Sequence, residues 1–140
     1  MEPELRKGAC HCRSVRFEVT LSDGFRSARR CTCSYCRMRG AIAVSALLDG
    51  LKIVEGEDKL TLYQFNTGTA KHYFCSVCGI YTHHQRRSNP RELGINVACL
   101  EEVSPFDFAE VKVLDGVNHP NDIGGETRIA GTLKFVPNSQ

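Results

Sequence analysis

Apolar and polar positions along this chain alternate with a period of two in several short stretches, and no stretch sustains a helical period. The clearest alternation lies between Ser14 and Thr20. Val15, Phe17 and Val19 share one face there, and Arg16, Glu18 and Thr20 the other. A second β-rich run covers residues 60–65 and stops at the turn signal Asn66-Thr67-Gly68. Shorter strand candidates are residues 41–47, 51–54, 71–75, 80–84, 93–99, 111–114 and 127–136. Gly24, Gly50, Gly56, Gly79, Pro90, Pro105, Pro120 and Gly124-Gly125 punctuate them. Residues 105–110 could form one short helix. Many short strands at this spacing predict a mainly β fold with few or no helices, not alternating βαβ units.

Length fits one domain: the chain has 140 residues, and domains run to about 100–200. We expect residues 8–136 to form it, with tails at 1–7 and 137–140. No internal repeat, low-complexity tract or linker divides it. At 41% hydrophobic residues the chain can build a real core. A net charge of +2 is too small to point to nucleic acid, and no basic stripe with interleaved aromatics is present. No apolar run approaches the roughly 18 residues of a membrane span. The first seven residues lack the apolar core of an export signal. The expectation is a cytoplasmic, reducing setting without membrane partners.

Cysteine changes the picture. Eight cysteines stand beside no tryptophan and two methionines. Seven of them fall in three clusters: Cys10-His11-Cys12, Cys31-Thr32-Cys33-Ser34-Tyr35-Cys36 and Cys75-Ser76-Val77-Cys78. Without an export signal, such pairs read as zinc thiolates and not as disulfides. Gly79 after Cys78 permits the tight backbone turn of a metal knuckle. Tetrahedral zinc closes at four ligands, so seven cysteines imply two ions, divided four plus three. The middle cluster holds three sulfurs within six residues and is the natural three-ligand site. Cys10, Cys12, Cys75 and Cys78 then form the closed structural site. Three protein ligands leave one position open, which is the mark of catalytic zinc. Cys99 could close that position, although beside Val97 and Leu100 it reads first as a buried strand thiol. His11 is expected to point away from the metal, and His72, His83 and His84 to be ordinary strand histidines.

Arginine surrounds the middle cluster: Arg29 and Arg30 precede it, Arg37 and Arg39 follow Cys36. Three thiolates on Zn²⁺ carry a net negative charge that these side chains partly offset. The guanidinium fork also matches a carboxylate-bearing substrate.

These motifs together resemble the glutathione-dependent formaldehyde-activating enzyme family, which also contains the domain of centromere protein V. The matching stretches are Gly8-Ala9-Cys10-His11-Cys12, Val15-Arg16-Phe17-Glu18-Val19, Cys31-Thr32-Cys33-Ser34-Tyr35-Cys36-Arg37 and Gly40-Ala41. They continue with Tyr63-Gln64-Phe65-Asn66-Thr67, Ala70-Lys71-His72, Phe74-Cys75-Ser76-Val77-Cys78-Gly79, Arg87-Ser88-Asn89-Pro90, Asn96-Val97 and Cys99-Leu100. The resemblance covers residues 8–101. It implies a β-tent fold of several coiled antiparallel sheets and the same division of two zinc ions. Cys10, Cys12, Cys75 and Cys78 would be structural ligands; Cys31, Cys33 and Cys36 would be ligands of an open catalytic zinc. It also raises Arg37, Arg87 and Asn89 as substrate-binding candidates. Arg13 departs from the family, which commonly has glycine after Cys-His-Cys.

The implied chemistry is that of a carbon–sulfur lyase. A thiol held at an open zinc loses its proton, so glutathione would be a ready nucleophile toward formaldehyde, giving S-hydroxymethylglutathione. The reverse direction cleaves a carbon–sulfur bond, and another small thiol adduct is a serious rival as substrate. The alternative from a different class is a non-catalytic zinc module that binds nucleic acid or a protein partner.

Overall fold

A computed structural model describes residues 4–118 and 127–139; Pro120 and Gly124-Gly125 lie outside the described residues. The fold is mainly β. Ten strands, among the described residues, run in chain order: β1 Leu5–Ala9, β2 Arg16–Leu21, β3 Arg29–Cys31, β4 Ala43–Glu55, β5 Leu60–Tyr63, β6 Lys71–Cys75, β7 Tyr81–Gln85, β8 Glu92–Asn96, β9 Glu110–Leu114 and β10 Ile129–Lys134. One hydrogen-bonded network joins them in the order β10-β9-β3-β4-β8-β7-β6-β5, with β1 and β2 attached through β4. Pairing is antiparallel except between β3 and β9, which run parallel. Strand β1 begins at Leu5, inside the segment given to the N-terminal tail.

The alternation seen in the sequence is realised on β2: Val15, Phe17, Val19 and Leu21 are at most 1% exposed. Phe17, Val19 and Leu21 pack against Val44 and Ala46 of β4, Leu93 and Ile95 of β8, and Val97, Cys99, Leu100 and Val111. The two strands expected at 41–47 and 51–54 are one thirteen-residue strand, β4. Its first half pairs with β8 and its second with β2, so Gly50 lies within the strand and does not end it. The strand expected at 93–99 stops at Asn96. There the Asn96 Oδ1 accepts from the Ala98 N–H (3.1 Å) and turns residues 97–99 into a 3-10 helix.

Helix α1, Ser34–Arg39, was not expected. The Cys33 sulfur caps it by accepting from the Cys36 N–H (3.3 Å), and Arg37 and Arg39 sit at its negative end. The helix expected at 105–110 is one 3-10 turn, Pro105–Asp107, closed by a Ser104–Asp107 capping box. No helix among the described residues is long and apolar enough to cross a membrane.

Candidate metal centres and the cavity beside them

Two groups of sulfur atoms converge, and both are the groups the cluster spacing implies. Cys10 follows β1 and Cys12 lies in the turn before β2; Cys75 ends β6 and Cys78 lies in the next turn. Their four Sγ atoms lie within 4.8 Å of one another. Cys10 to Cys12 and Cys12 to Cys75 are each 3.7 Å. A tetrahedron of sulfurs about 2.3 Å from zinc has edges of about 3.8 Å, so this set fits the ion. The Val15 and Val77 N–H groups donate to Cys10 and Cys75 at 3.3 Å. Gly79 takes a left-handed φ of 79° as its N–H returns to the Cys75 carbonyl at 2.8 Å. Cys10 and Cys75 are buried beside Val15, with Ile53 and Leu60 packed around them. Burial pushes the Cys10 thiol up to about 11, and hydrogen bonding with Ser14 brings Cys12 down to about 6.

Cys31 ends β3, Cys33 caps α1 and Cys36 lies within it, and their sulfurs also fall within 4.8 Å of one another. Among the described residues no fourth Cys, His, Asp or Glu joins them. The parallel β3–β9 pair continues into their seat, where Thr32 N–H donates to Leu114 and the Gly116 N–H to Thr32 Oγ1 at 3.0 Å. Cys31 accepts from the Cys33 N–H at 3.4 Å, and Cys36 from Arg39 Nη2 at 3.5 Å. Hydrogen bonds from Cys31 and Cys36 bring the Cys33 thiol down to about 2, while those with Cys31 and Cys33 push Cys36 up. Three thiols this close together can all ionise only beside a cation. This donor set therefore fits zinc as well.

Cys99 belongs to neither group. Its Sγ donates to the Tyr81 carbonyl at 3.5 Å inside the main core, and burial pushes its thiol up to about 12. His11 is exposed and outside both groups.

The three-cysteine group opens on a cavity of about 420 Å³, whereas no member of the four-cysteine group lines it. Five arginines contribute to the wall: Arg29, Arg30, Arg39, Arg86 and Arg87. Arg29 donates through Nη1 to Ser45 Oγ (2.8 Å), and burial lowers its guanidinium to about 10. Arg86 is ion-paired with Glu92 at 2.6 Å. Of the substrate-binding candidates, Arg87 lines the cavity; Arg37 and Asn89 do not. Arg37 is exposed on α1, and the Asn89 Oδ1 is occupied by the Arg91 N–H at 3.1 Å.

Two histidines read as ordinary strand residues are on the cavity wall. His72 of β6 and His84 of β7 are directly paired across the strands and stack with centroids 5.2 Å apart. The β-period places Tyr73 and His83 on the opposite face, stacked at 4.7 Å and away from the cavity. The His72 Nδ1 meets Arg39 Nη1 at 2.9 Å, and the His84 Nδ1 meets the Tyr81 hydroxyl at 2.6 Å. Burial, aided by the Arg39 charge, lowers His72 to about 4; burial also holds His84 well below its ordinary value. Arg39 thus touches both Cys36 and His72 while its guanidinium lies 3.7 Å above the Tyr81 ring centroid. Alternation along 71–75 and 80–84 could have put His72 and His84 on one face; the strand register needed to pair them is not local.

The sequence model of the glutathione-dependent formaldehyde-activating enzyme family matches residues 5–112 of this chain. A crystal structure of a Rhodobacter sphaeroides protein is 63% identical, with a TM-score of 0.75, over 76% of this chain and 98% of that one.

Proposed function

Starting from the fact that this chain belongs to the glutathione-dependent formaldehyde-activating enzyme family, we propose that it is a zinc-dependent carbon–sulfur lyase. It acts on glutathione or another small thiol adduct, forming or cleaving a carbon–sulfur bond, with S-hydroxymethylglutathione as the reference product. One observation carries this reading: three converging thiols, and no fourth donor among the described residues, face a cavity of about 420 Å³. Ligand pockets usually enclose about 300–1,000 Å³, so a tripeptide-sized thiol is in range.

Cys31, Cys33 and Cys36 hold the ion, and Cys10, Cys12, Cys75 and Cys78 hold a second one that braces the fold. Zinc bound by three thiolates supplies a cationic point at which an incoming thiol is kept ionised at neutral pH. Arg39 donates to Cys36 and offsets the negative charge of the thiolate trio. Arg30 and Arg87 stand in the wall where a substrate carboxylate would meet them. We assign carboxylate binding to these two and not to Arg37 or Asn89. Phe65, stacked on His72, gives the cavity one apolar side. Eight cysteines without a disulfide fit a reducing compartment such as the cytoplasm.

The test is metal counting joined to an exchange assay. Wild-type protein should carry about two zinc ions, and Cys36→Ser about one with the circular dichroism spectrum unchanged. Wild type should accelerate exchange of labelled formaldehyde between its free form and the glutathione adduct, measured by NMR, and Cys36→Ser should not. A wild-type chain with one zinc, or with no acceleration above the uncatalysed exchange, rejects the proposal.

A further inference from the structure

We propose that His72 is a catalytic hydrogen-bond donor, its proton locked on Nε2 by Arg39 and offered to the substrate oxygen next to the carbon–sulfur bond. The inference rests on the function proposed above and names a residue for it that the metal ligands do not supply.

A guanidinium has five donors and no acceptor, so the His72 Nδ1, 2.9 Å from Arg39 Nη1, must be the acceptor. A neutral imidazole then carries its one proton on Nε2. The ring cannot turn over to exchange the two nitrogens, because its surroundings are packed. Phe65 stacks at 5.7 Å and His84 at 5.2 Å, while Tyr35 meets it edge-on at 4.6 Å. The ring is 4% exposed yet lines the cavity, and with Nδ1 engaged the Nε2 edge is the polar part left to face it. His84 is different: its Nδ1 partner is the Tyr81 hydroxyl, which can donate or accept, so its tautomer is not fixed in this way.

In the addition direction, sulfur bonds to the carbonyl carbon and the C=O π pair moves to oxygen. The proton lost by the thiol reaches that oxygen through water, so thiol plus aldehyde become a hydroxymethyl thioether. His72 keeps its own proton throughout. Its Nε2–H stabilises charge as it develops on oxygen, and in the cleavage direction on the same atom. Arg39 is a positioning residue that selects the tautomer and, through Cys36, ties the donor to the metal ligands.

Two measurements test the idea. In zinc-loaded wild type without substrate, long-range ¹H–¹⁵N NMR of the His72 ring should show the proton on Nε2 and a bare Nδ1 between pH 6 and 8. His72→Phe, which keeps a stacking ring, should lower kcat about 10²-fold while KM for the thiol changes by less than about threefold. His72→Gln, which restores an N–H near the Nε2 position, should recover part of the loss with zinc content unchanged. A proton on Nδ1, or an undiminished kcat in His72→Phe, overturns the assignment while leaving the lyase reading intact. A wild type that shows the expected tautomer but no carbon–sulfur exchange rejects the lyase reading and, with it, the proposed acceptor.

Discussion

Arg13 shows how a single position is fixed by the metal turn beside it. The turn between Cys10 and Val15 places Arg13 at a φ of 65°, with its N–H on the Cys10 carbonyl at 3.1 Å. A left-handed backbone costs a residue with a Cβ roughly 1–2 kcal/mol, which is the physical reason the family commonly has glycine there. Glycine regains that strain but has more freedom to lose on folding, by roughly 0.5–1 kcal/mol. Arg13→Gly should therefore raise the stability of the zinc-loaded protein by up to about 1 kcal/mol in a thermal melt. A fall would show that the exposed arginine contributes more than its strain. Gly116 is constrained from the other side: a Cβ there would overlap Cys31 Sγ and come to 2.9 Å from Cys33 Cβ. Gly116→Ala should cost the three-cysteine site its zinc and spare the other, read as a fall of one equivalent per chain. The converging sulfurs were legible because each cluster is local in sequence. Gly116 was not, because it reaches Cys31 from the far end of β9.

At the level of elements, the strands were legible and their breaks were not. Period-two alternation marks β2 whatever its partners, whereas α1 has six residues, none of them buried, and so leaves no apolar stripe to read. Its cap is a cysteine sulfur, which the usual Ser, Thr, Asp and Asn signals do not cover. The same limit hid the split of the histidines between the two faces of β6 and β7. His83, on the face away from the cavity, gives the ladder a pH signature. Burial lowers it to about 4 from an ordinary 6.5, so the folded chain keeps it neutral over a range where the unfolded chain protonates it. Its contribution is complete above pH 6.5 and is lost as pH falls toward 4. Full loss is worth on the order of 3 kcal/mol. His83→Phe should flatten the difference in stability between pH 7 and pH 4.5 relative to wild type, measured by denaturant unfolding. Comparing the two proteins cancels the proton uptake of the cysteines, which both share. Equal slopes would show that His83 takes up a proton in the folded chain.

Across the whole molecule the two sulfur groups differ in what they tie together, and that difference predicts which ion the fold needs. The four-cysteine site joins the β1–β2 turn to the end of β6, with Cys12 and Cys75 separated by 63 positions. Among the described residues the three-cysteine site joins Cys31, Cys33 and Cys36, thiols of one short segment. If each ion acts as a cross-link on the unfolded chain, the long closure is worth about 4 kcal/mol and the short one about 2. Packing widens the gap. Cys10 and Cys75 are 3% and 0% exposed beside Val15, so stripping their ion leaves crowded thiols that water cannot readily reach. Cys31, Cys33 and Cys36 are half-buried at a cavity wall, where water can replace the ion. Cys78→Ser should thus lower the melting temperature well beyond Cys36→Ser, each variant keeping one ion at most. In wild type, a mild chelator should remove the cavity-side zinc first with the β-sheet signal unchanged, and loss of the second should coincide with unfolding. Equal destabilisation by the two substitutions, or release of both ions together, would mean that the cavity-side site braces the fold as much as the buried one does.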